Sequence, residues 1–352
     1  MDFWIVNITS FCNQKCVFCS EWDMHNNPKN IPFDKVISIL TDLKNNGVEG
    51  VNFMWGECTM RSDLGDILDF CRKNFKFVSI VTNGVMFMNP LLAQKILSKV
   101  QIFEYSWHTT HKEKFNKLSW SETFEFFQKW LQNVANELKE NLHLWIIINH
   151  VINKINFEDI PEFVRTAAET LDLADRKNRL IALKRTNLVW YSVKNKEDLS
   201  VCPSQVLPYL YSAVEYCIKN KVYVQIEWFP PCYFSDFFDS KYFQVNEMDE
   251  TGLYLLNKID ISNVQDVSVH KQMEEFSSKA YKRWNVALNV KILEKCRKCV
   301  FRKKCHLKIL LSEDANVLTE NIVSVIWKKP IVIWNIEDNI KKRETFLEFF
   351  AT

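Results

Sequence analysis

Short apolar segments alternate with amphipathic ones from the start of the chain to residue 219, and this rhythm restricts the fold more than any other feature. The apolar runs 3–9, 48–54, 77–81, 102–107, 142–151 and 180–185 read as strands. Between and after them, 33–46, 63–74, 91–99, 121–138, 159–172 and 204–219 carry apolar residues at helical spacing, as in Val36, Ile37, Leu40 and Leu43. Asp63 is the expected N-cap of the second helix, and Asn83-Gly84 stops the third strand. Strands and helices in strict alternation call for parallel pairing with right-handed crossovers. Uninterrupted runs such as Trp145–Ile148 suit strands covered on both faces. The expected class is therefore α/β, a partial (β/α)6 TIM-type barrel. The polar residues of interest follow the strands, at what would be the C-terminal rim. An open doubly wound sheet would also place them at strand ends.

The remainder is less regular. A further strand is expected at 222–229, ending at Pro230-Pro231-Cys232. A polar stretch, 235–290, follows with a helix expected near 271–283, and then apolar runs at 322–327 and 331–334. We place a domain boundary near 220, giving a barrel over 1–220 and an extension over 221–352. With 47% hydrophobic residues in 352, there is enough apolar material for one large core, or one core and an appendage. Only 6 glycines argue against solenoids and Gly-rich phosphate loops. Net charge is +2 from 45 basic and 43 acidic residues, which gives no strong nucleic-acid signal. No run is long and apolar enough to span a membrane, and Met1–Thr9 lacks the basic flank of a signal peptide. A cytoplasmic location is expected.

Eleven cysteines are many for such a chain, and an odd total suits a disulfide framework poorly. Three fall in the loop after the first strand, Cys12-Asn-Gln-Lys-Cys16-Val-Phe-Cys19, a C-x3-C-x2-C run. Zinc fingers normally bring paired C-x2-C knuckles. Three thiolates with no nearby fourth partner suit three irons of a cubane, leaving the fourth iron open to a cofactor. Zinc and inert buried thiols are the competing readings. A second run, Cys296-Arg-Lys-Cys299 with Cys305, needs a fourth thiol. Cys232, held by the preceding prolines, is the expected one, and Cys202 is the alternative. Four soft ligands fit zinc or a second iron–sulfur cluster equally. Cys71 and Cys217 lie within helical periodicity and read as core.

The segment CNQKCVFC, with Phe18 beside the last cysteine, resembles the signature of the radical S-adenosylmethionine (radical SAM) superfamily. The resemblance extends over residues 3–190. Trp55-Gly56-Glu57-Cys58-Thr59 resembles the family's Gly-Gly-Glu-Pro-Thr motif, with Trp55 in place of the first glycine and Cys58 in place of proline. The likeness implies that Trp55, Gly56 and Glu57 meet the methionine amino group, Trp55 through its carbonyl in an ordinary backbone conformation. Cys58 is read as an inert space-filler. Thr82-Asn83-Gly84 resembles the family's pocket floor, and Ser106-Trp107-His108 the segment that approaches the cofactor ribose and carboxylate. Ser106 is the expected polar contact there. His108 and His111 are read as substrate-facing or as surface and helix-start residues. Asn149, Asn153 and Asn156 are placed after the fifth strand, and Asn153 is the expected cofactor contact. Lys184 and Arg185 are read as an anion site or a solvated basic turn.

The layout around Cys232, Cys296, Cys299 and Cys305 resembles a shortened SPASM/twitch-like extension carrying one auxiliary 4Fe–4S cluster. Together these likenesses imply an oxidoreductase. A 4Fe–4S cluster with an open iron would cleave S-adenosyl-L-methionine to a 5′-deoxyadenosyl radical, which takes hydrogen from a substrate. The leading expectation is modification or cross-linking of a ribosomally synthesised precursor peptide in natural-product biosynthesis. The alternatives are oxidation or rearrangement of a sugar, nucleoside or amino-acid metabolite, and a zinc-stabilised binding protein with no activity. Expected partners are an electron donor such as flavodoxin or ferredoxin and a separate leader-peptide-binding protein. The latter follows because the barrel is expected to begin almost at residue 1; the rim or the 235–290 stretch are other places for a leader. No acid or base stands out among Tyr191, Tyr211, His108 and Glu227.

Overall fold

Each strand places one set of alternate residues against helices and the other set against its neighbours across the sheet. The computed structural model describes residues 3–19, 28–185, 199, 201, 203–227, 229, 234, 236–237, 239–245 and 257–260. The strands are β1 (Phe3–Asn7), β2 (Gly50–Phe53), β3 (Phe77–Thr82), β4 (Ile102–Ser106), β5 (Trp145–Ile152), β6 (Arg179–Arg185), β7 (Tyr223–Glu227), β8 (Phe243–Val245) and β9 (Asn257–Asp260). They form one nine-stranded sheet in the order β8-β7-β6-β5-β4-β3-β2-β1-β9. Every pairing is parallel.

The helices are α1 (Phe33–Asn45), α2 (Leu64–Asn74), α3 (Pro90–Leu97), α4 (Lys112–Ser119), α5 (Phe124–Glu140), α6 (Ile160–Thr170) and α7 (Pro203–Lys219). Consecutive strands lie side by side from β1 to β8, so crossovers of one hand put the intervening helices on one face. Val51, Phe53, Val78, Ile80, Phe103, Ile146, Ile148, Ile181 and Leu183 point to that face and join helix residues such as Leu40, Leu68, Trp130 and Phe163 in one core. Burying each large side chain contributes roughly 1.5–3 kcal/mol. The opposite, concave face carries Asn52, Ser79, Glu104, Ser106, Asn149 and Gln225. This is the partial barrel expected from the sequence.

The elements differ from the expectation in four places. Helix α4, with only Phe115 and Leu118 to bury, was not legible as a helix. β5 runs to Ile152, so Asn149 lies within the strand and not after it. Asp63 occupies the N-cap position of α2 but makes no capping bond. Its carboxylate is taken by Arg61, through Nε to Oδ1 at 2.9 Å and Nη2 to Oδ2 at 2.6 Å. Arg61 also donates to the Ile8 and Ile31 carbonyls at 2.8 Å each, tying the end of β1 to the entry of α1. β7 and β8 continue the barrel sheet past residue 220, and β9 adds to its far edge from within the 235–290 stretch.

Candidate active site at the strand ends

The loop 10–19 leaves β1 at the C-terminal edge of the sheet and is fastened on three sides. Thr9 Oγ1 donates to Asn30 Oδ1 at 2.6 Å, and Lys29 N donates to Ser10 Oγ at 2.7 Å. Lys15 N and Val17 N each donate at 2.9 Å to the Ser119 and Leu118 carbonyls at the end of α4. Glu57 N donates to the Phe11 carbonyl at 2.7 Å. The loop needs these anchors because it has no regular secondary structure of its own to satisfy its backbone.

Cys12, Cys16 and Cys19 are partly buried thiols of this loop. Burial, Glu57 and Cys19 push the Cys12 thiol up to about 12. Burial also raises the Cys16 thiol well above its usual value, with Cys19, Cys12 and Glu57 adding to the shift. The three sulfurs therefore sense one another across a shared space. As thiolates they would repel, and an iron cluster supplies the positive charge that offsets this. In a cubane each thiolate binds a different iron. Among the described residues, no three His, Cys, Asp or Glu groups converge on a single ion site. A loop of three soft donors fits a cluster by its donor chemistry.

The segment after β2 meets this loop at van der Waals limits. A Cβ on Gly56 would lie 2.2 Å from the Thr9 carbonyl oxygen and 2.9 Å from that of Phe11, and φ here is +62°. Glycine is therefore required on two counts. Trp55 also has positive φ, 67°. The expectation of an ordinary backbone at Trp55 is corrected: the tryptophan adopts the left-handed conformation that glycine would take without cost, a strain of roughly 1–2 kcal/mol.

Glu57 is 1% exposed. Its Oε1 accepts from Thr59 N at 3.2 Å, Thr59 Oγ1 at 2.5 Å and Thr82 Oγ1 at 2.7 Å. Its Oε2 accepts from Asn83 N at 2.8 Å. One oxygen is thus filled, and the other retains acceptor capacity. Burial raises the carboxyl above its usual range, and the bonds from Thr59, Asn83 and Thr82 pull it back. Asn83 continues the network: Nδ2 donates to Asn13 Oδ1 at 2.7 Å and approaches Cys12 Sγ at 3.8 Å. Glu57 thereby links the strand-end turns after β2 and β3 to the cysteine loop. Cys58 is buried with Sγ 3.8 Å from the Val81 carbonyl, and burial raises its thiol well above the usual range. It fills space, as do Cys71 and Cys217.

On the other flank, Phe18 packs with Leu118 and Leu199 and meets the His108 ring edge-on at 4.6 Å. His108 Nδ1 accepts from Val151 N at 3.1 Å, which leaves the neutral ring its proton on Nε2. Burial, and secondarily His150, lowers its pKa well below the usual value. His111 is exposed at the N-cap of α4, 3.5 Å from Glu162, so it starts the helix. Ser106 ends β4, half-buried and in register with Asn149. Asn153 is fully buried. It donates to the Val151 carbonyl at 3.1 Å and accepts from Ile155 N at 2.9 Å, shaping the turn after β5. Asn156 closes the same turn onto the His108 carbonyl at 2.7 Å. Lys184 pairs with Glu227 at 3.4 Å, and Tyr211 packs edge-on against Phe237.

Cys202, Cys232, Cys296, Cys299, Cys305, Tyr191, the expected helix at 271–283 and the apolar runs 322–327 and 331–334 lie outside the described residues, as does the side chain of Arg185. Sequence reasoning missed Arg61, Asn52 and Glu104. For the last two the available signal was a polar residue at every second position inside an otherwise apolar strand.

Residues 6–167 match the Radical SAM superfamily. The probable GTP 3′,8-cyclase of Saccharolobus islandicus (strain M.14.25 / Kamchatka #1) is 24% identical over 199 residues, 55% of this chain and 61% of that protein. The chain thus spans less than two thirds of that curated relative. Among solved structures, anSMEcpe with bound AdoMet and Cp18Cys peptide superposes with TM-score 0.58 and 18% identity, covering 87% of this chain and 88% of that one. Streptococcus suis SuiB bound to S-adenosylmethionine gives TM-score 0.57 and 16% identity, covering 86% and 72%. No helix among the described residues is long and apolar enough to cross a membrane.

Proposed function

Residues 6–167 are a radical SAM domain, and from that premise we propose that this enzyme modifies or cross-links a ribosomally synthesised peptide. Cys12, Cys16 and Cys19 hold a 4Fe–4S cluster with one open iron, beside a site for S-adenosyl-L-methionine. When bound, the cluster and that cofactor together supply a 5′-deoxyadenosyl radical that takes hydrogen from the substrate.

The chain's own residues position these groups. Gly56 lets the loop after β2 lie against the cysteine loop. Glu57 offers its second oxygen, and Trp55 its carbonyl, to the methionine amino group. Phe18 and Ser106 face the rest of the cofactor, while Asn153 fixes the turn beside them. The neutral His108 presents a fixed Nε2 donor at the rim. The observation that carries the reading is a loop with three cysteines joined to the buried Glu57 through Asn83, which donates to the carboxylate from its backbone N–H and reaches Asn13 and Cys12 with its amide.

We further propose that 221–352, whose β7, β8 and β9 also complete the barrel sheet, carry an auxiliary site in which Cys232, Cys296, Cys299 and Cys305 hold one 4Fe–4S cluster, with Cys202 as the other fourth-ligand candidate. It would accept an electron from an oxidised substrate or orient that substrate. The proposed surroundings are cytoplasmic, with a flavodoxin or ferredoxin as electron donor and a separate protein presenting the leader peptide. The peptide reading is supported by the likeness to a solved structure that holds a peptide. A second reading, a nucleoside-type small molecule, is favoured by the likeness to GTP 3′,8-cyclases.

The test incubates reconstituted, reduced enzyme and cofactor with neighbouring-gene peptides and with nucleotides, read by mass spectrometry. A mass change confined to a peptide supports the first reading, and one confined to a nucleotide supports the second. Cys299→Ala should leave some cofactor cleavage while product fails to form; full product would remove the auxiliary cluster from the chemistry.

A further inference from the structure

The concave face of the sheet holds a carboxylate whose neighbours have been arranged around it and left incomplete. Glu104 projects from the middle of β4, half-buried. Asn52 of β2 donates Nδ2 to Glu104 Oε1 at 3.1 Å, and Asn149 of β5 donates Nδ2 to Oε2 at 3.0 Å. These bonds fix both amides, because the opposite orientation would set carbonyl oxygen against carboxylate. The amide oxygens are then turned away from the carboxylate. Asn52 is 3% and Asn149 6% exposed, and both Oδ1 atoms, like Ser79 Oγ, are buried without a hydrogen-bond partner. Buried acceptors left this way are uncommon and call for a missing donor.

No cationic side chain among the described residues pairs with Glu104. Lys184, on the same face, is engaged with Glu227 at 3.4 Å. Glu227 Oε1 in turn accepts from Gln225 Nε2 at 2.6 Å, and Gln244 donates to Gln225 Oε1. The face therefore presents one half-buried carboxylate, held by two asparagine amides, with no cation of the described residues beside it. An ammonium brings three donors and no acceptor, and a guanidinium five. A second anion would be repelled by the carboxylate.

We propose that Glu104, with Asn52 and Asn149, anchors a cationic group of the substrate, an ammonium or guanidinium, on the concave face of the sheet. This deepens the peptide reading above and rests on it. The residues specify a lysine-like or arginine-like side chain.

The experiment uses the full reconstituted chain and capped pentapeptides that differ at their central residue: lysine, arginine or the uncharged norleucine. Calorimetric titration should give the two cationic peptides dissociation constants at least tenfold below that of norleucine. Glu104→Gln should shrink the gap to under twofold, with iron content and affinity for S-adenosyl-L-methionine unchanged. Equal binding of all three peptides to the wild-type chain would overturn the proposal, as would a full gap surviving in Glu104→Gln. A variant that binds the cofactor more weakly but keeps the peptide gap would assign Glu104 to the cofactor and also overturn it. Should Glu104→Gln fail to fold, Asn149→Ala stands in, and an undiminished gap there counts against the proposal. Failure of the radical reading shows separately, as wild-type protein without iron, sulfide or 5′-deoxyadenosine, whichever way the peptides bind.

Discussion

Replacing Gly56 with alanine should disable the site from its backbone outward. The new Cβ would sit 2.2 Å from the Thr9 carbonyl oxygen and 2.9 Å from that of Phe11. Both are main-chain atoms, so no side chain can swing aside. The loop must retreat by about 1 Å to reach even a tight contact, which breaks the 2.7 Å bond from Glu57 N to Phe11 O. Overpacking of this kind costs roughly 1–3 kcal/mol, and alanine in the left-handed region adds about 1 kcal/mol or more. Gly47→Ala isolates the second contribution, because φ there is +82° and nothing lies within 4 Å of the added Cβ. Thermal unfolding of the two variants should therefore differ by about 2–12 °C, at roughly 2–4 °C per kcal/mol. Anaerobic reconstitution should load Gly56→Ala with less than half the iron of wild type and Gly47→Ala with all of it. Equal melting temperatures and equal iron would refute the close-approach argument.

Glu57→Gln sets an amide NH2 against donors that now share a carboxylate, so affinity for S-adenosyl-L-methionine should drop about tenfold at unchanged iron content; a dissociation constant within twofold of wild type would count against it. His150 is fully buried, and that burial lowers its pKa to about 3 from the ordinary 6.5. The folded chain therefore binds fewer protons than the unfolded one below the unfolded value. Stability from this residue is present above pH 6.5 and is lost as pH falls toward the folded value. Between pH 7.5 and 5.5 the loss is about 1.4 kcal/mol. Buried His108 contributes a loss of the same sign, so urea titrations should show the loss in His150→Gln smaller than in wild type by this amount, and an identical pH slope in both would exclude His150 as a source.

The alternation of apolar runs was enough to place β1 to β6 and their helices, because burial on both faces of a parallel sheet leaves a continuous apolar signature. The cysteine loop was legible for a local reason, three thiols in one short segment. What escaped depends on distant partners. Asp63 reads as a cap until Arg61 claims it across the loop. Glu57 reads as a cofactor ligand alone, although most of its acceptor capacity ties Thr59, Thr82 and Asn83 together. Trp55 carries no local mark of positive φ. α4 has too few apolar residues for periodicity to register, and the Glu104 cluster joins three strands that are far apart in the chain.

The proposed chemistry requires an iron cluster with an open coordination position on Cys12, Cys16 and Cys19. It is tested most directly by electron paramagnetic resonance of the anaerobically reconstituted, reduced Cys232→Ala/Cys299→Ala protein, with and without S-adenosyl-L-methionine. The expected spectrum is a reduced 4Fe–4S signal whose g-values shift when the cofactor is added, and which is lost on further replacement of Cys16. A loop that carries zinc, or a signal that the cofactor leaves unchanged, would contradict it.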